Sequence, residues 1–287
     1  MCEVGFSGPR KKLYADSVLS HLSLDEHIFL KSSEKYPHFT QRLLDYLLRV
    51  STRLTGPEST MAFRKIISLL GSLYFSCYYK CFLIVTLSRG VGYYDLPKHK
   101  TNQMIVGYFQ SYKYLDDLDK LSVINMFSLQ KAGPDWDYWS KRAIKERPII
   151  VHIRLGDYLS EKDFGVITTS YISDSLSLLN VSSTGQKIWV FSDQKELAED
   201  IFPPQFLANV VWVPEIDSNP TATLSIMQLG SGYVIANSTF SWWAASLKQI
   251  AEAPIYCPRP WFSKSMQPID LLPEHWIQID TSYKEPK

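Results

Sequence analysis

The sequence is short of cysteine, of net charge and of repeated or low-complexity segments, and each shortage closes a class of reading. Four cysteines, Cys2, Cys77, Cys81 and Cys257, are scattered through 287 residues with no Cys-x-x-Cys pair. A disulfide framework or zinc site is therefore not indicated. Cys77 and Cys81, four apart in apolar sequence, read as buried thiols, and a reducing, cytoplasmic setting is expected. Thirty Lys and Arg against 29 Asp and Glu leave a formal net charge of +1, a balance that demands no nucleic-acid partner, since such partners usually need a basic stripe or patch. Residues Met1 to Tyr14 carry Pro9, Arg10, Lys11 and Lys12 but no apolar core, and a secretory signal is not expected there.

What remains is ordinary globular usage, 45% apolar and 21% charged, in a chain long enough for one large domain or two of roughly 100–200 residues. One apolar run, Ile66 to Leu87, approaches the length of a membrane span. Lys80, Gly71, three serines and three tyrosines dilute it, and a charge in mid-helix is costly in lipid. A buried helix, or one lying on a membrane surface, is expected instead, with Arg64, Lys65 and Lys80 placed to meet anionic headgroups.

The two halves have different rhythms. Up to Arg147 the sequence is irregular and helix-leaning. Thr40 is a plausible N-cap for a helix carrying Leu43, Leu44, Leu47 and Leu48 at helical spacing. Met104-Ile105-Val106 reads as a short strand, and Gly133-Pro134 and Arg147-Pro148 as breaks. From Pro148 onward strands alternate with helices: Ile149–Arg154, Lys187–Phe191, Val210–Val213, Tyr233–Ala236 and Pro254–Cys257 as strands, with helices over Thr168–Val181, Thr221–Leu229 and Ser238–Ile250. That alternation predicts an α/β domain with a parallel sheet. Ligands of such sheets bind outside the carboxyl ends of the strands, so polar residues just after strands carry the interest. The expected division is 1–147 and 148–287.

Three strand ends are rich in such residues. Val151-His152-Ile153-Arg154-Leu155-Gly156-Asp157-Tyr158 places His152 and Arg154 on one face. Arg154 there can grip a phosphate with two charge-assisted bonds, or it can pair with Asp157 beside a packed histidine. In Trp189-Val190-Phe191-Ser192-Asp193 the carboxylate can accept from a ribose or base, or cap the following helix. In Ala236-Asn237-Ser238-Thr239-Phe240-Ser241-Trp242-Trp243-Ala244-Ala245 a strand runs into a helix through several small polar residues, more than capping needs. Such a helix start is a ready anion site. At least one of Trp242 and Trp243 should face the core.

These segments, with Gly107-Tyr108-Phe109-Gln110-Ser111, Phe164-Gly165-Val166 and Pro258 to Trp261, resemble in order and spacing the bacterial α-1,2-fucosyltransferases. The resemblance runs from about Gly107 to Trp276. It implies a GT-B arrangement of two Rossmann-like domains, an acceptor-side domain over 1–147 and a GDP-sugar domain over 148–287. It implies inverting transfer of L-fucose from GDP-fucose to the 2-hydroxyl of a galactoside, with no metal or other cofactor required. By analogy, the acceptor is a galactose-containing, lipid-linked glycan of surface polysaccharide or O-antigen synthesis, met at the inner face of the membrane. Arg154 corresponds to the arginine on the GDP β-phosphate and Asp193 to the carboxylate that fixes the nucleoside. Asn237, Ser238, Thr239 and Phe240 stand where the phosphate-binding helix begins, and His152 and Asp157 lie beside the reaction centre. Leu155 stands where the family usually has a second Arg, and Gln194 where it often has a second acid.

Two other readings have a basis in the sequence. Asp117-Leu118-Asp119 and Asp135-Trp136-Asp137 have the letters of a metal-binding acidic motif, but neither follows an apolar strand, and Gly133-Pro134 marks the second as a loop. Both read as solvated acids. The family also opens with an apolar strand and a glycine-rich turn, whereas this chain opens Met1-Cys2-Glu3-Val4-Gly5-Phe6-Ser7-Gly8 and contains no Gly-x-Gly-Asn. The expectation from this is an incomplete, helix-rich N-terminal domain, and a chain that binds GDP while transferring fucose poorly or not at all. A GDP-binding remnant and a transferase for another nucleotide sugar are the alternatives.

Overall fold

The computed structural model describes residues 2–4, 28–30, 38–53, 59–82, 84–93, 102–108, 110–116, 133–160, 164–264, 267–268 and 270–283. Those up to 116, with 268 and 270–273, belong to one compact unit. Those from 133 to 267, with 274–283, belong to a second. The stretch 5–27, where the resemblance implies a glycine-rich turn, lies outside the described residues, as do Asp117, Asp119 and Phe109.

In the first unit β1 (Cys2–Val4) pairs in parallel with β2 (Ile28–Leu30). Helices α1 (His38–Arg53) and α2 (Ser59–Tyr79) follow, then a second parallel pair, β3 (Ile84–Val91) and β4 (Gln103–Tyr108). Leu47, Val50, Phe75, Val85, Leu87 and Val106 make its core, with Leu43 and Leu44 packed against it. The α1 register is as expected, but its start is not. Thr40 lies inside the helix, fully buried, its hydroxyl 2.6 Å from that of Tyr74 on α2. It ties two helices together and is not the cap.

The apolar run also divides. Helix α2 ends at Tyr79, Lys80 takes a φ of 52°, and β3 opens on Ile84, Val85 and Thr86, three β-branched residues that fit a pleated surface better than a helix. Nor is α2 a buried helix. Phe63, Ile66, Leu69, Leu70 and Leu73 are all exposed, as are Cys77 and Cys81, which overturns the reading of buried thiols. No helix among the described residues is long and apolar enough to cross a membrane.

The second unit opens with α3 (Pro134–Glu146). Gly133-Pro134, read as a loop, is a helix start. Pro134 sits in the first turn, where its missing N–H costs nothing, and Asp217 accepts hydrogen bonds from the N–H groups of Asp135 and Trp136 at 3.1 and 3.2 Å. Then follow β5 (Ile149–Ile153), α4 (Thr169–Leu178), β6 (Ile188–Ser192), α5 (Lys195–Ile201), β7 (Val210–Trp212), α6 (Pro220–Met227), β8 (Gly232–Val234), α7 (Thr239–Ser246), β9 (Ile255–Arg259) and β10 (Ile277–Asp280). The sheet is six-stranded and parallel throughout, in the order β10-β9-β8-β5-β6-β7. Strand β10 had no counterpart among the expected strands. Its residues are largely exposed at the sheet edge, so they lack the apolar signature of the central strands.

That order is the doubly wound one. The chain runs outward from β5 through β6 to β7, then returns to the other side of β5 with β8. The crevice between β5 and β8, at their carboxyl ends, is the switch point where such sheets bind ligands. The all-parallel α/β domain expected from the sequence is the one observed.

Candidate functional site

Strand β5 is buried along its whole length. Immediately after it, Arg154 turns to two carboxylates. Its Nε and Nη2 donate to Asp157 Oδ1 at 3.0 and 2.8 Å, and its Nη1 lies 3.1 Å from Asp193 Oδ2. Burial works against the charge of the guanidinium, but Asp193 and Asp157 outweigh it and raise its pKa. Asp193 is itself fixed, because its Oδ1 accepts the N–H of Leu155 at 2.9 Å. It does not cap the following helix. That place belongs to Gln194, whose side chain makes no capping bond. Gly156 permits this packing: a Cβ there would lie 2.4 Å from Asp193 Oδ2.

His152, in the strand itself, is 5% exposed, and its ring centroid is 5.8 Å from that of Phe240. Burial first, and the positive charge of Arg154 second, push its pKa down to about 3. The imidazole is therefore neutral at ordinary pH. Its Nδ1 is buried without a hydrogen-bond partner among the described residues.

On the other side of the switch point, Asn237 follows β8 and is 2% exposed. Its Nδ2 donates to the carbonyl of Phe164 at 2.6 Å and lies 3.4 Å from that of Gly165. Its own backbone carbonyl accepts from the Tyr158 hydroxyl at 3.0 Å. The loops after β5 and β8 are thus bound to each other. Burial raises the Tyr158 pKa to about 12, so this donor keeps its proton. Gly165, at φ 72°, is held where a Cβ would lie 2.6 Å from Tyr283. The Asn237 Oδ1, like His152 Nδ1, is buried without a partner among the described residues.

Ser238 caps α7: its Oγ accepts from the N–H of Phe240 at 3.3 Å. Ser241 turns its hydroxyl back to the carbonyls of Ala236 and Ser238, both at 3.2 Å. Thr239 is exposed and Phe240 half-buried. Trp242 is the indole in the core, 5% exposed, with Trp243 edge-on against it at 5.2 Å. Of the residues singled out from sequence, Arg154, Asp157 and Asp193 form one ion-paired cluster. His152 meets Phe240, and Asn237 and Ser238 line the opposite loop. Tyr158 was visible in the motif, but its anchoring role was not.

Leu155, which stands in place of the second Arg that the resemblance implies, is 2% exposed and packs in the core. Among the described residues no three His, Cys, Asp or Glu side chains gather as a metal site requires. Asp135 and Asp137 sit exposed in the first turn of α3.

The profile of glycosyl transferase family 11 matches residues 14–264, and the chain belongs to that family. The kinship with bacterial fucosyltransferases read from the motifs holds at this level. An α-1,2-colitosyltransferase of Escherichia coli is 30% identical over 182 residues, 61% of this chain and 62% of that protein. The O-antigen biosynthesis glycosyltransferase WbnK of Escherichia coli is 31% identical over 133 residues, 45% of this chain and 43% of that one. The matches thus span about three fifths and under half of the lengths of these relatives. Among solved structures, a NodZ α-1,6-fucosyltransferase soaked with GDP-fucose aligns at a TM-score of 0.34 and 12% identity over 56% of this chain and 55% of its own.

Proposed function

We propose that this chain transfers L-fucose from GDP-fucose, with inversion and without a metal, to the 2-hydroxyl of a galactoside in surface polysaccharide or O-antigen synthesis. The observation that carries the proposal is the switch-point crevice, with Arg154 at the end of β5 on one side and the Ser238-capped start of α7 on the other. A diphosphate there meets a guanidinium and a helix start, the two groups suited to it.

The chemistry follows from which partner of Arg154 is free to leave. Asp193 is held by the Leu155 N–H and its side chain is 23% exposed, whereas that of Asp157 is 49% exposed. A β-phosphate oxygen therefore displaces Asp157, and Arg154 stays aligned by Asp193. As the bond from the anomeric carbon to GDP breaks, negative charge grows on the phosphate where the guanidinium already stands. The acceptor hydroxyl attacks the opposite face of that carbon, and in this reading released Asp157 takes its proton. His152, neutral, stands beside the cluster, close enough for Arg154 to lower its pKa.

The test is a donor panel of GDP-fucose, GDP-mannose and UDP-galactose, scored for hydrolysis and for transfer to galactosides. Fucose transfer supports the proposal, and preference for the uridine donor overturns it. The similarity to a colitosyltransferase favours one second reading, a donor carrying colitose, which belongs in the same panel.

A further inference from the structure

Helix α2 has two faces of different character. Taking about 100° per residue, Phe63, Ile66, Leu69, Leu70 and Leu73 fall within an arc of roughly 120°. The opposite side carries Gly71 and Phe75, which face the core of their own unit. The outer arc is uncovered: Phe63 is 44% exposed, Ile66 55%, Leu69 60%, Leu70 56% and Leu73 58%. Isolated exposed apolar residues are ordinary, but a contiguous stripe of this kind marks an interaction surface.

Charge indicates what covers it. The 21 residues of α2 contain no Asp or Glu; their charged residues are Arg64 and Lys65, and Lys80 follows the helix at once. Lys65 and Lys80 are both exposed. On the same helical projection Lys65 falls beside the near end of the stripe, while Lys80 follows the last helical residue, Tyr79, at the other end. Apolar side chains with cations at both ends, and no anion between, fit a surface that is apolar beneath and negative at its boundary.

We propose that this face of α2 lies on an anionic lipid bilayer, in the plane of the interface, with Ile66, Leu70 and Leu73 entering the acyl boundary and Lys65 and Lys80 reaching the headgroups. A helix too short in apolar content to cross a membrane can lie in its surface when one face is apolar and the flanking charges are basic. The surface belongs to the first unit alone and is independent of the donor chemistry. It would bring the transferase to acceptors held at a membrane.

The experiment is co-sedimentation of the 287-residue chain with vesicles of phosphatidylcholine alone or with 30 mol% phosphatidylglycerol. The chain should pellet with the anionic vesicles and much less with the neutral ones. Ile66→Gln/Leu70→Gln/Leu73→Gln should abolish pelleting. Lys65→Gln/Lys80→Gln should weaken binding to anionic vesicles by roughly fivefold per charge removed. All five positions are exposed, so far-ultraviolet circular dichroism and GDP binding should be unchanged, which separates a lost surface from a lost fold. A chain that ignores both vesicle types overturns the proposal. So does a self-association in lipid-free sedimentation velocity that the glutamine triple variant removes, because the stripe would then meet a second copy.

Discussion

Arg154 and Asp193 join the loops that follow two neighbouring strands, with Nη1 and Oδ2 3.1 Å apart. The pair is built from both sides, since Asp193 also holds the Leu155 N–H and Gly156 leaves room for its carboxylate. An arginine fixed in this way costs no reorganisation when charge develops beside it, which is the condition for electrostatic stabilisation of a leaving group.

Arg154→Ala should therefore lose at least ~100-fold in turnover, the scale of removing one charge-stabilising donor. Arg154→Lys should recover little of it, because an ammonium cannot make the fork that spans Asp193 and a phosphate. Steady-state kinetics on variants with unchanged circular dichroism give the answer. Near wild-type transfer by Arg154→Ala would remove the residue from the mechanism.

Gly156→Ala should behave as a donor-site variant although it adds only a methyl group. The new Cβ would come within 2.4 Å of Asp193 Oδ2, so the carboxylate must leave either Leu155 or Arg154. The expected result is a loss of GDP affinity of about tenfold, equal to about 1.4 kcal/mol, with the fold retained. Calorimetry showing unchanged affinity would mean that Asp193 has room to move without consequence.

The acid limb of stability should carry the signature of His152. An exposed histidine titrates near 6.5, while burial and Arg154 hold His152 at about 3. Between those values the unfolded chain binds the proton and the folded chain does not. Stability therefore falls as the pH drops through that window, by at most about 1.4 kcal/mol per pH unit from this residue, and is independent of it above the window. Denaturant unfolding of His152→Gln should show a shallower decline from pH 6 to 4 than the wild type. An imidazole that titrates near 6.5 by NMR contradicts the buried, neutral assignment.

Much of the second unit was legible because its central strands announce themselves. Ile149–Ile153 and Ile188–Ser192 are short apolar runs ending in polar turns, and the Asn237-Ser238-Thr239 transition marks a strand entering a helix. What escaped the sequence are contacts between residues far apart in the chain. Asp193 reaches back 38 positions to Leu155, Asn237 73 positions to Phe164, and Tyr158 forward 79 positions to Asn237. No periodicity encodes such pairs, so Asp193 looked like a helix cap. Thr40 looked like one for the same reason, and it instead meets Tyr74 34 positions away. In the first unit one apolar run supplied both α2 and β3, and the break between them begins at the left-handed Lys80.

The helix start offers a test of anion binding apart from capping. Ser238→Ala should cost about 1 kcal/mol of stability as a lost N-cap. The exposed Thr239 contributes no capping bond to α7, so Thr239→Ala should leave stability unchanged. If the hydroxyls also meet the donor, the double variant loses GDP affinity beyond what its stability loss explains. Unchanged affinity by calorimetry would reduce Ser238 to a cap.

The central claim is that the crevice between β5 and β8 holds a GDP-sugar through Arg154. The most direct measurement is calorimetric titration of GDP, and of UDP for comparison, into the wild-type chain and into Arg154→Ala, in buffer containing EDTA. GDP binding should persist without divalent metal, exceed that of UDP, and weaken at least ~10-fold in the variant, the loss expected when a charged hydrogen-bonding group is removed from its partner. Equal affinity of the two proteins for GDP, or binding that appears only when a divalent ion is restored, would contradict it.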